Sequence, residues 1–229
     1  MSRTLCNMYS TPFARLTPSC TPENAFSRYS FKDAYMCWNQ VMWQDAADAS
    51  LSFGFAAVPA GSVLCAQCLE IVHSGEGGQF RDDDAGARLL GGKRLVVQAI
   101  TVDPNLPDGQ IDLMVPGGGT GEADNKCSLQ WNTRARHIDL GLKTGGFLSR
   151  CLGCTPGEDC RPAPLPHNDV KQCVRSMCAA AFGSDTHYAP MLAACEWFVD
   201  FYEAADHPRM QFRQVECPRE IWKRLETPG

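Results

Sequence analysis

The chain has 229 residues, 44% of them hydrophobic, with a formal net charge of −5. That length covers one large domain or two small ones with a sizeable core, and nothing in the composition is typical of a disordered chain. The 21 Lys and Arg are scattered instead of gathered into a basic patch, which argues against nucleic acid as a partner, and no apolar run approaches the roughly 20 residues a membrane span requires.

In chain order, the N-terminal third is irregular and rich in Pro, Ser and Thr as far as Cys20. AYMCWNQVMWQDAADASLSFGFAA predicts a short helix running into an extended segment. SVLCAQCLEIVH and KRLVVQAITVD are rich in β-branched residues and predict two strands, separated by the polar loop SGEGGQFRDDDAGARLLGG. The acidic triplet Asp82 to Asp84 in that loop reads as a solvated turn. QIDLMVP predicts a third strand, ended by GGGTG, and it carries one acidic side chain, Asp112, inside an otherwise apolar run. A Cys- and Pro-rich insertion follows from about 148 to 168, too irregular for a core element. Helical periodicity returns in VKQCVRSMCAAAF and LAACEWFVDFYEAAD, and MQFRQVECP predicts the last strand. Trp197, Phe198, Phe201 and Tyr202 are spaced as faces of a helix, with core packing as their role. No repeat or linker divides the chain, so the expectation is a single domain over 1–229.

Thirteen cysteines run from Cys6 to Cys217. Such usage points to disulfides in an oxidising compartment and so to a secreted protein, although MSRTLCNMYS has no apolar core of a leader. The competing reading is zinc, because CAQC and CLGC each have the spacing of half a structural zinc site. Two CxxC pairs far apart in a cysteine-rich chain are a weak signal for metal. The histidines His137, His167 and His187 suggest no metal constellation, so neither a metal nor another cofactor is expected.

Several separated blocks carry a resemblance. CLEIVHSG, KRLVVQAITVD, QIDLMVPGGGTG and CEWFVDFYEAADHPRMQFRQVECP, in that order, resemble the corresponding segments of glycoside hydrolase family 45. YMCWNQVMW followed by FGFAA is similar to the segment before them, and the likeness runs from about Ala34 to Leu225 apart from the insertion. The resemblance implies a mainly β fold, a six-stranded double-psi β-barrel of the kind shared with expansins, here with peripheral helices and disulfide-tied loops. It also implies a disulfide between Cys68 and Cys217, and two others that look like Cys20 with Cys37 and Cys6 with Cys127. Two further family bridges have lost both partners together, with Asn7 and Ala66 where cysteines would stand, which is what a disulfide framework predicts.

The implied activity is endo-β-1,4-glucanase, cleaving β-glucan with inversion. Inversion needs a carboxylic acid to protonate the leaving oxygen and a second group, roughly 6.5 to 9.5 Å away, to activate water on the opposite face. Asp112 occupies the position of the family's general acid. Its neighbours Ile111 and Leu113 point to the other face of the strand, and an apolar setting would favour the protonated form. The bland alternative is an Asp that accepts hydrogen bonds from the glycine turn. The family's base is an Asp in an N-terminal motif absent here, and aligning on Cys6 puts Leu5 at its place. Asp33 has a faintly similar context but lies too close to the AYMC segment. Asn105, Asp103 and Asp108, in the loop before Asp112, remain as base or auxiliary candidates, by a swinging carboxylate or, as in one branch of the family, an imidic Asn. The competing reading of each is a solvated turn in DPNLPDG. Trp131 and Trp38 are candidate stacking platforms for sugar rings. The expected partner is a β-glucan such as cellulose, bound by a monomer, with no nucleic acid or membrane involved. A non-hydrolytic, expansin-like protein that binds wall polysaccharide without a base is the alternative, since one barrel can host different activities.

Overall fold

A computed structural model describes residues 40–59, 66–78, 82–103, 106–119, 139–154 and 165–226. Within them the strands are β1 (Trp43–Gln44), β2 (Leu51–Pro59), β3 (Cys68–Gly78), β4 (Arg94–Asp103), β5 (Asp112–Leu113) and β6 (Pro208–Val215). The helices are α1 (Ala85–Leu89), α2 (Gly146–Cys151), α3 (His167–Phe182), α4 (Ala189–Asp200) and α5 (Arg219–Glu226), with a short 3₁₀ turn at Thr186–Tyr188. The strands join in the order β1-β2-β4-β3-β6, and β5 pairs with β2.

At the centre of this sheet β2 and β4 run parallel from Leu51 opposite Arg94 to Pro59 opposite Asp103, with the register shifting by a bulge between Ala56 and Ala57. A parallel pair covered on both faces needs apolar residues at nearly every position, and LSFGFAAV and RLVVQAI supply them. Along β4, Leu95, Val97 and Ala99 enter one core cluster with Ala56, Val58, Leu69 and Ile71, whereas Val96 and Ile100 enter a second with Phe53, Phe55 and Phe147. Between them Gln98 is buried, and its amide Nε2 donates to the Ala66 carbonyl at 3.1 Å. Gly54 is a glycine because a Cβ there would run into the Met42 side chain.

Helices α2, α3 and α4 contribute to the second cluster, whereas Ala87 of α1 enters the first. α3 buries Val170, Val174, Cys178 and Ala181, one face at helical spacing, and packs on α4. Among the described residues, disulfides join Cys151 to Cys173, Cys178 to Cys195, and Cys68 to Cys217. The first ties α2 to α3, the second α3 to α4, and the third fixes the start of β3 to the residues that follow β6. The pairs implied for Cys20, Cys37, Cys6 and Cys127 lie outside the described residues, as does Cys65 of the CAQC motif.

Four expectations need correction. From Gln40 onward the described chain forms no helix before β2. Instead Asp45 Oδ1 accepts from the amides of Ala47 and Asp48, both at 2.8 Å, closing a turn that joins β1 to β2. A short acidic side chain satisfying nearby amides competes with helix formation. Residues 146–152 are ordered core, not irregular insertion: α2 buries Phe147 and Leu148, and Leu152 follows them inside. The third strand shrinks to two residues, because after Met114 donates to the Phe55 carbonyl the chain turns away at Pro116. Finally, Asp84 is not solvated. It is 6% exposed and caps α1, its Oδ1 accepting from the Ala87 amide at 3.1 Å.

Candidate active site

Asp112 opens β5 opposite Ala57, with Leu113 opposite Ala56. Ile111, Leu113 and Val115 pack against the first core cluster, and Met114 is buried in the second. Strand alternation therefore turns Asp112 to the Met114 side, where it is half-buried. Just beyond, the glycine turn is shaped by close approach to α2. Gly117, at φ +83°, accepts at its carbonyl from the Phe147 amide at 2.8 Å, and a Cβ on it would strike the Phe147 ring. Any side chain there would push α2 off the strand that carries Asp112.

An acidic and basic pair, Asp206 and His207, stands at the turn between α4 and β6. His207 is exposed, and its Nδ1 lies 2.5 Å from Asp206 Oδ1. The Asp206 hydrogen bond raises its pKa above the ordinary histidine value against the opposing effect of partial burial, and the charges of Asp206, Asp112 and Asp84 add to the rise. The Asp112 carboxylate is thus within through-space reach of this imidazole.

The turn itself is strained, since Glu203, Ala204 and His207 are non-glycine residues with φ of 58°, 47° and 47°. Such backbone persists only where the surroundings over-determine it. Here Lys93 Nζ donates to the Phe201 carbonyl at 2.7 Å and to Glu203 at 3.0 Å, while Lys171 Nζ donates to Glu203 at 2.6 Å. Burial pushes the Glu203 carboxyl up, but the bonds from Lys171 and Lys93 outweigh it and hold the group below its ordinary value. Asp84 Oδ2 accepts from the Asp206 amide at 2.7 Å, so one buried carboxylate serves both a helix cap and this turn.

Of the site residues expected from sequence, Asp112 takes a half-buried place on a strand edge, and Asp108 stands exposed in the turn closed by Gln110 N–H to the Pro107 carbonyl at 3.1 Å. Asp103 ends β4 opposite Pro59, but its side chain, like Asn105, Trp38 and Trp131, lies outside the described residues. Trp197, Phe201 and Tyr202 are buried in the core as expected. Sequence reasoning missed Asp84, Asp206 and His207. The signal available was the AADHP run, a turn-forming Asp-His-Pro set directly before the last strand.

A mainly β sheet with one carboxylate on a short strand edge and a glycine turn behind it defines a class, and comparisons with known proteins specify it. The model of glycosyl hydrolase family 45 matches residues 17–158, and the chain belongs to that family. Endoglucanase B of Cellvibrio japonicus (strain Ueda107) is 35% identical over 193 residues, covering 83% of this chain and 34% of the relative. The chain thus spans about a third of that relative's length. An endoglucanase of Cryptopygus antarcticus is 24% identical over 203 residues, covering 86% of this chain and 68% of the relative. A crystal structure of cellulase from the Antarctic springtail Cryptopygus antarcticus superposes with a TM-score of 0.55 at 23% identity, covering 86% of this chain and 75% of that chain. The fold is accordingly the mainly β, double-psi barrel class implied by the sequence blocks.

Proposed function

We propose that the chain is an endo-β-1,4-glucanase that cleaves β-glucan with inversion and uses Asp112 as general acid. The observation that carries this reading is the placement of Asp112: in a family 45 chain, the one carboxylate of the QIDL strand is half-buried at a strand edge, backed by a glycine turn packed on α2. A carboxyl group there protonates the leaving glycosidic oxygen, while a group on the far face takes a proton from the attacking water. Asn105, Asp103 and Asp108 remain the candidates for that second role, and Trp131 and Trp38 the candidate platforms for the sugar rings. The wider reading is a secreted monomer in which residues 1–229 form one catalytic domain. The disulfides support secretion, because such bonds persist in oxidising compartments.

Loss of viscosity and release of reducing ends from soluble cellulose test the activity directly. Asp112→Asn is expected to keep the fold and glucan binding while hydrolysis falls about a hundredfold or more. On a glucoside with an activated phenolic leaving group, which needs little protonation, the variant recovers much of its rate. A wild-type protein that binds glucan but releases no reducing ends overturns the hydrolase assignment in favour of a non-hydrolytic relative. Equal rates for wild type and Asp112→Asn remove the acid role.

A further inference from the structure

The strand that carries Asp112 is two residues long, and its pairing with β2 ends one residue later, where the Met114 amide donates to the Phe55 carbonyl at 2.9 Å. A ladder that short fixes little by itself, so the chain that follows shares in placing the carboxyl. That chain turns tightly twice. The Val115 amide donates to the Leu113 carbonyl at 3.0 Å and the Gly118 amide to the Val115 carbonyl at 3.0 Å, which makes residues 113–118 one compact unit. A displacement at Gly117 is therefore passed back to Asp112 instead of being absorbed by loose chain.

Gly117 is gripped from the other side by the segment that starts α2. Besides the bond from the Phe147 amide, Gly146 comes so close, at φ +54°, that a Cβ on it would overlap the Gly117 carbonyl oxygen and the Gly119 amide. The loop before the helix closes on itself, the Leu142 amide donating to the Gly146 carbonyl at 3.1 Å. α2 has six residues and no side-chain cap, too few to be stable as an isolated helix. Its near end is seated on the glycine turn, and its far end is bonded to α3 through Cys151–Cys173. Between the two, the Phe147 ring meets Phe182 of α3, with 6.3 Å between centroids. α3 is a firm base, since Val170, Val174, Cys178 and Ala181 anchor it in the core.

We propose that residues 141–151 are a clasp that positions the Asp112 carboxyl, with Gly146 and Phe147 as positioning residues and the Cys151–Cys173 bridge as the anchor on α3. The clasp rests on the endoglucanase reading for its effect on rate, because a general acid works only within hydrogen-bond reach of the oxygen it protonates. Without the anchor, α2 and the glycine turn shift together, and a misplacement of about 1 Å is enough to cost up to about a hundredfold in rate. The loss falls on protonation of the leaving group and not on substrate binding.

The test compares Cys151→Ala/Cys173→Ala with Cys178→Ala/Cys195→Ala, which removes a bridge of similar span, 17 residues against 22, that ties α3 to α4 instead. Assays are run where denaturation curves show both variants folded. On cello-oligosaccharides with an unactivated leaving group, the first variant is expected to lose about tenfold in kcat with KM within about twofold of wild type. On a glucoside with an activated phenolic leaving group the loss shrinks to about twofold or less. The second variant loses no more on one substrate than on the other, which separates a displaced acid from a weakened fold. Gly146→Ala, which pushes the Gly117 carbonyl away, repeats the pattern of the first variant. Equal losses on the two leaving groups, or no loss, overturn the clasp. If the wild type hydrolyses neither substrate, the hydrolase reading falls and hydrogen exchange decides the clasp. The amides of Met114 and Gly118 are then expected to exchange about tenfold faster in the first variant, with those of β4 unchanged, and unaltered exchange at both overturns it.

Discussion

Two parts of the molecule are held in shape by opposite means. The β2–β4–β3 wall is built around apolar side chains with 9% exposure or less, such as Phe55, Leu69, Val97 and Ala99, and its backbone hydrogen bonds are those of the strand ladder. The 203–207 turn has three residues in left-handed backbone, and Lys93, Lys171 and Asp84 hold it in place from three other elements. Regular backbone satisfies its own polar groups, so burial is enough to keep it. Irregular backbone does not, and each exception needs a named side chain. Asp112, the proposed acid, sits at the edge of the first region, and His207 on the second.

The largest expected effect on stability tests the wall. The Cys68–Cys217 bridge closes a loop with a sequence separation of 149, for which chain entropy gives about 5 kcal/mol. Replacing both with Ala is expected to remove most of that, read as a lower urea midpoint with the m-value followed alongside. A change near zero would mean that the paired strands alone hold the sheet closed there.

His73 joins the two regions and makes their difference pH-dependent. It is 2% exposed on β3, its Nδ1 lies 3.2 Å from the Lys93 carbonyl, and its ring meets Tyr202 edge-on. Burial is the main cause that depresses its pKa from 6.5 to about 4. Because the folded value lies below the unfolded one, the contribution is fully present above pH 6.5 and is lost as pH falls through the interval to about 4. The loss amounts to about 3 kcal/mol. Chemical denaturation across that interval should show the slope in the wild type, and His73→Gln should flatten it. An equally steep slope in the variant would assign the acid sensitivity to other groups.

The turn alone is probed by Asp84→Ala. The substitution removes the α1 cap and the acceptor for the Asp206 amide, a cost of about 1 to 2 kcal/mol. Faster hydrogen exchange at the amides of Ala87 and Asp206 than at those of β4 would place the loss in the turn. The smallest effect belongs to Arg175→Ala. Its ion pair with Asp200 bridges α3 and α4 at 2.5 Å, but both side chains are exposed, and removal is expected to cost less than about 1 kcal/mol in thermal unfolding.

How much was legible in advance follows the same division. VVQAI announces its strand because alternate residues go to two different buried faces, and the Val170, Val174, Cys178 pattern announces α3 because every third or fourth residue meets the same neighbour. Asp112 stood out for the complementary reason, as a charge where the pattern calls for an apolar residue. QDAADAS was misread as helix because Ala-rich composition hides a side chain that binds its own turn. The DDD run looked solvated because burial of its third member depends on an element far along the chain.

By itself, then, the sequence determined the sheet-forming segments, the main helices, the membership in family 45 and the candidacy of Asp112. All of these are written in local periodicity or in blocks of contiguous residues. Only the tertiary structure decided that Cys151 pairs with Cys173 and Cys178 with Cys195, and that Asp84 caps α1 and bonds to Asp206 122 positions away. Those facts depend on where the sheet and the helices bring distant backbone together, and a polar side chain has no periodicity that announces its partner.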